Sequence, residues 1–163
     1  MASKTLDDLF HDGLKDIYYA ERRQLKALKK MAAAVQSPAL REAFLDHRDQ
    51  TETHIDRLDE IFHLIGESPR SKTCAAIDGI IKGADEIMTD YEGQPALDAG
   101  LLAGAQAAEH YEIARYGTLR NWAMRLGLRR AAEMLDRTLE EEEDTDRDLT
   151  EIAASGVNQR AVA

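Results

Sequence analysis

Apolar residues return at three- and four-residue steps through almost the whole of this chain, and only a few short stretches break the rhythm. That spacing paints one apolar stripe along an α-helix and denies a strand the alternation it needs. Leu6, Phe10, Leu14, Ile17, Leu28, Met31 and Val35 trace a first long helix, A, over about residues 4 to 36. Ser37-Pro38 then supplies an N-cap with proline at the first helical position. Leu40, Phe44, Leu58, Ile61, Phe62 and Ile65 carry helix B to a C-capping Gly66. After the polar loop GESPRSKT, a shorter piece near 74 to 89 bears Cys74, Ile77, Ile80, Ile81, Ile87 and Met88. Helix C runs from about 97 to 126 on Leu101, Ala105, Ala108, Ile113, Leu119, Ala123 and Leu126, and Gly127 marks its end. Helix D follows from about 128 to 154 through Leu135, Leu139, Leu149 and Ile152. Three prolines and ten glycines in 163 residues leave such helices undisturbed. The chain reads as all-α, one bundle domain over residues 1–155, with 156–163 as a flexible tail lacking periodicity.

The lengths of the connections choose the topology. Tight turns at 37/38 and at Gly127 make A/B and C/D antiparallel neighbours, whereas the long B–C connection, carrying its own short helix, must cross the bundle. A crossover of that kind makes B and C run parallel, which is the arrangement of a ferritin-like four-helix bundle. An up-down bundle would join B to C by a short loop.

Charge and cysteine usage narrow the partners. The formal charge of −10, from 31 acidic and 21 basic residues, repels phosphate backbones and anionic lipid surfaces, so no nucleic acid and no membrane is expected. The single cysteine, Cys74, excludes an intrachain disulfide. With no apolar run long enough for a signal peptide near MASKTLDDLF, a cytoplasmic setting is expected.

Each long helix loses its apolar seam near its middle. On A the break is Glu21, with Gln24 beside it; on B the inward stripe passes through His47, Thr51 and His54. C has Glu109 and Glu112, three apart and on one face, flanked by Ala105 and Ala108. D has Glu142 on the Leu135, Leu139, Leu149 stripe, with Asp146 one turn on, while Glu140, Glu141, Glu143, Asp144 and Asp148 read as a solvated run. A buried ionised group without a partner costs several kcal/mol, so Glu21 needs a cation, stays protonated, or pairs with an arginine at the bundle rim. Heights favour the cation. Glu21 and His54 each stand sixteen residues from the 37/38 turn, and Glu112 and Glu142 each stand fifteen from Gly127. Rim salt bridges have no reason to be level, whereas two cations bridged by carboxylates and capped by imidazole require it.

The stretches AERRQLKALKKMA, HRDQTETHIDRLDEIF, KTCAAIDGIIKGADE, AGAQAAEHYEIARYGTL and LEEEEDTDRDLTEIA resemble the bacterial YciE/YciF-type stress proteins of the ferritin-like superfamily, over nearly the whole chain. The resemblance implies a stress-associated protein holding two metal ions. Carboxylates that bridge iron or manganese and leave a coordination position open would suit peroxide or oxygen as reactant, in a peroxidase or ferroxidase. The alternative it leaves open is a non-catalytic, oligomeric interaction protein with a stabilising metal; a homodimer suits either. By the same resemblance Glu21 is the helix A ligand, Glu109 and Glu112 the helix C pair, and Glu142 the helix D carboxylate; His54, by its height, and Asp146, one turn from Glu142, complete the candidate set. The chain departs from Glu-x-x-His on both B and D. It has Thr51-x-x-His54 and Glu142-x-x-Thr145 instead, one carboxylate and one histidine short, with Gln50, Asp49 or Asp146 as possible substitutes.

Overall fold

The computed structural model describes residues 3–162. Helix A is α1, Leu6–Ala34; helix B is α2, Pro38–Leu64; the crossover helix is α3, Ala75–Asp90; C and D are α4, Leu97–Arg125, and α5, Arg129–Ile152. The boundaries follow the signals in the sequence. Ser37 accepts the Leu40 N–H through its side chain while Pro38 opens α2, and α1 begins on a capping box between Thr5 and Asp8. At Gly66 and Gly127 the backbone turns left-handed, with φ of 75° and 76°. Each glycine ends its helix in a Schellman turn: Glu67 N–H donates to Phe62 C=O and Gly66 N–H to His63 C=O, and Leu128 and Gly127 repeat the pattern on Ala123 and Met124.

Long-range bonds give the directions. Lys72 N–H donates to Lys15 C=O, Tyr19 and Arg23 bond Asp78, and Lys30 meets Asp85, so α3 runs beside α1 in the same sense and carries the chain back along the bundle. α4 therefore starts at the end where α2 starts, and the two are parallel, as the long crossover implied. Asp98 fixes that corner: its carboxylate accepts the Gln36 and Ser37 N–H groups at 2.8 and 2.7 Å, tying the α1/α2 turn to the first turn of α4.

The segment expected as a tail, from residue 156 onward, follows directly on α5. α5 passes through a π-helical turn, Ala153–Val157, into a final short turn, Asn158–Arg160. Gly156 alone can adopt the φ of 147° at this kink, and the kink returns Val157 to the core, where it is 2% exposed. Ala163 lies outside the described residues.

Two apolar clusters fill the bundle rather than one. Phe10, Leu14, Ile17, Leu58, Phe62, Leu119 and Leu135 pack in the half containing the start of α1. Leu28, Met31, Leu40, Phe44, Leu101 and Leu149 pack in the other. Between them lies a layer of polar side chains.

Candidate metal centre

All four long helices contribute to the layer. Glu21 from α1, Thr51 and His54 from α2, Glu109 and Glu112 from α4 and Glu142 from α5 are each 0% exposed; Gln24 and His47 are 1% and 4% exposed. Their atoms converge as two groups that share one residue. His47, Glu109, Glu112 and Glu142 bring ligand atoms within 4.8 Å of one another, and so do Glu21, His54 and Glu142. His47 Nε2 stands 3.0 Å from Glu109 Oε1 and 3.6 Å from Glu142 Oε2. His54 Nδ1 stands 3.0 Å from the other Glu142 oxygen and 3.3 Å from Glu21 Oε1. Glu142 thus turns one oxygen toward each group.

The inward nitrogen of each ring is chosen by what holds the outward one. His54 Nε2 lies 3.0 Å from Glu141, and Arg57 clasps that carboxylate at 2.8 and 3.2 Å. His47 Nδ1 lies 3.3 Å from Gln50 Oε1 and 3.4 Å from the Thr145 hydroxyl. With Nδ1–H donated to Gln50, His47 Nε2 keeps its lone pair for the layer. Thr51 donates its hydroxyl to His47 C=O at 2.8 Å and so leaves the layer without a ligand of its own. Tyr116, 0% exposed, donates to Glu21 Oε1.

This set tests well against a pair of cations. Among the described residues, every buried side-chain nitrogen or oxygen without a hydrogen-bond partner, apart from Asp59 Oδ1, belongs to Glu21, Gln24, His47, His54, Glu109, Glu112 or Glu142. A native core rarely abandons so many donors and acceptors unless something else satisfies them. Without cations the charges are strained. Burial pushes Glu109 and Glu142 up to about 8, the latter also repelled by Glu109, and holds Glu112 well above the ordinary carboxylate range. Burial works against a charged His54 ring, but Glu21, Glu141 and Glu142 outweigh it and push the imidazolium up to about 12. Burial and the Glu21 charge likewise raise the Tyr116 phenol. Glu141 goes the other way: its bonds to His54 and Arg57 hold it down at about 2.

Five of the six expected ligands therefore meet, and Asp146 does not. It is 21% exposed at the α4/α5 rim, where it accepts from Gln106 at 3.2 Å and faces His110 Nε2 at 3.1 Å. Asp49 is exposed and paired with Arg48. His47 offers the imidazole that the motifs lacked, so the residues that could hold metal are four glutamates and two histidines, the number that two Glu-x-x-His pairs and two further glutamates would give. In this candidate set the second imidazole comes from α2 rather than α5, and the second paired carboxylate from α4 rather than α2. Glu141, read from its charge run as solvated, instead orients His54.

No helix among the described residues is long and apolar enough to cross a membrane. Protein YciF of Escherichia coli (strain K12) is 41% identical over 162 residues, covering 99% of this chain and 98% of that protein. The crystal structure of the E. coli stress protein YciF superposes with a TM-score of 0.90, covering 96% of this chain and 99% of that one. YcfI from Rhodopseudomonas palustris, provisionally described as a structural protein, superposes at 0.88 with 43% identity, covering 90% and 94%. A Xanthomonas campestris pv. campestris protein at 20% identity and a TM-score of 0.75, covering 96% of each chain, shares the fold. The family model described as a domain of unknown function, DUF892, matches residues 5–162, and with these relatives it makes the chain a member of the YciE/YciF-type family of stress proteins.

Proposed function

We propose that this chain is a stress-associated dinuclear metal protein that binds two iron or manganese ions in its polar layer and reacts with peroxide or dioxygen. One observation carries the reading: the only extensive set of unpartnered buried polar atoms among the described residues is a matched set of metal donors. Four carboxylates against two dications give a neutral layer, which removes the cost of burying either alone. Carboxylate oxygens with two imidazoles suit iron and manganese. His47, Glu109 and Glu112 would hold one ion, Glu21 and His54 the other, and Glu142 would lie between them.

Bound ions of this kind supply the electrons and the open coordination positions that peroxide or dioxygen chemistry needs. The chain supplies the rest. Arg57 and Glu141 lock one imidazole, Gln50 and Thr145 lock the other, and Tyr116 holds a proton at its Oη against Glu21. The two apolar clusters keep bulk water from both ends of the layer. Loading with iron(II), desalting and elemental analysis is expected to return two ions per chain, with peroxide consumption lost in Glu21→Ala. Equal peroxide consumption by wild type and Glu21→Ala would reject the catalytic role.

The complete burial of the four glutamates also suits a second reading, in which the ions only brace a structural protein, the role given provisionally to YcfI. Metal-dependent stability without any peroxide or dioxygen reaction would favour it.

A further inference from the structure

A cation bound for the layer cannot travel along the bundle axis, because an apolar cluster closes each end. It must enter from the side. One cavity reaches a ligand: a recess of about 630 Å³ between α2 and α5, where His47 lies in the lining. Four other surface cavities touch none of the six donor residues.

We infer that divalent cations reach the layer through this recess, drawn in by its acidic wall and admitted past His47. The inference rests on the reading of the layer as a metal centre. Glu42 and Asp46 from α2 face Asp148 and Glu151 from α5 across the recess, and its lining contains no lysine or arginine. Asp144 is paired with Arg147 at 2.7 Å, but the four wall carboxylates make no ion pair among the described residues. Carboxylates alone would not define a site. Here they surround a side chain 4% exposed, whose Nε2 has no hydrogen-bond partner and lies on the far side, against Glu109 and Glu142.

His47 stands in the lining, and its Nδ1 contacts are longer than the 3.0 Å that ties His54 to Glu141. His47 Nδ1 faces Gln50 and Thr145 at 3.3 and 3.4 Å, and Thr145 spans to Gln50 at 3.2 Å. Breaking these bonds and rotating one imidazole opens the way from the recess to the four-donor group. On the neighbouring stretch of the same seam, Arg57 and Glu141 form a shorter and stronger closure. A wall of one sign in a recess concentrates counter-ions and raises association rates tenfold or more at low salt, and screening removes the gain.

The test uses cobalt(II) as probe and the full chain. Uptake is followed by stopped-flow absorption, release by transfer to excess chelator, and stoichiometry by elemental analysis. Ala43→Phe, placed in the recess one helical turn before His47, is expected to slow uptake and release together by tenfold or more with little change in equilibrium affinity. Asp46→Asn with Asp148→Asn is expected to lower the low-salt uptake rate by about tenfold and to flatten its salt dependence. The remote Glu92→Gln is expected to do neither. Should the double variant bind two ions at the wild-type rate with the wild-type salt dependence, the route is wrong though the metal centre stands. Should wild type bind no cobalt(II), manganese(II) or iron(II), the centre fails and the route with it.

Discussion

Replacing Glu109 by glutamine separates what the layer costs from what a cation returns, because the two effects have opposite signs. Glu109 is fully buried, and neither of its oxygens has a hydrogen-bond partner. Burial raises it from 4.5 to about 8, so near pH 7.5 the folded metal-free chain keeps a proton that the unfolded chain has given up. At pH 7.5, about three units above its ordinary value, holding that proton costs on the order of 4 kcal/mol, at about 1.4 kcal/mol per unit. Glutamine has the same shape and no charge to neutralise. The metal-free variant should melt higher than wild type, by on the order of 10 °C for a domain of this size. With manganese(II) in large excess over its dissociation constant, wild type gains about 4 kcal/mol from binding. The variant, lacking an anionic donor, should gain far less, so the order of melting temperatures reverses. Paired thermal scans by circular dichroism, with chelator and with metal, read both arms. A variant less stable than wild type under both conditions, or one that keeps the full metal-induced rise, would refute the reasoning.

Without metal, stability should fall as pH rises from about 5 to 8. Glu109 and Glu142 are raised to about 8, so their contribution is complete below 4.5 and lost as pH climbs through 8, while raised His54 adds a loss of the same sign above 6.5. Each differing proton contributes about 1.4 kcal/mol per pH unit; urea midpoints with chelator should trace this slope, and added metal should reverse it, since binding needs deprotonated carboxylates. His47→Ala should reduce the metal count from two per chain toward one, whereas Asp146→Asn should leave it at two, as elemental analysis after desalting would record. Arg57→Ala frees Glu141 and unlocks His54, and should cost about 1–3 kcal/mol and weaken metal binding 10- to 100-fold, measured by denaturation and by competition with a chelating dye. Asp98→Ala strands the Gln36 and Ser37 N–H groups and should lower stability by about 1–3 kcal/mol without altering metal stoichiometry.

The helices and their order were legible because each boundary carries its own chemistry: proline after a serine cap at 37/38, and glycine where the chain must turn left-handed at 66 and 127. The central polar breaks were legible because a charge on an apolar stripe stands out at any register. His47 was harder to see as a donor. Counting residues from a turn finds side chains at one height, and Glu21 and His54 share one; but two ions need donors on two levels, and His47 lies two turns from His54 toward the other level. Asp146, one turn beyond Glu142, carries the residual rotation of a four-residue step, and that small angle is enough to bring it to Gln106 and His110 at the rim. Glu141 was lost among like charges. Only the neighbouring α2, with Arg57 and His54 at the right depth, tells it apart from the solvated residues around it. Val157 gave no periodic signal because a π-helical turn shifts the helical register just before it.

The position of the layer explains how fold and site depend on one another. A polar layer at either end of the bundle would open to water, and its carboxylates would stay ionised and hydrated without help. Set between two apolar clusters, the same groups have no solvent to fall back on, so the metal-free chain must keep protons on several carboxylates that would ordinarily have lost them. Every long helix contributes to the layer, and Glu142 faces both donor groups, so ions bound there would join α1 and α2 to α4 and α5 where no apolar contact can. With two cations bound as proposed, the middle of the bundle would turn from its weakest joint into its firmest, and the chain's stability would measure whether the layer is filled.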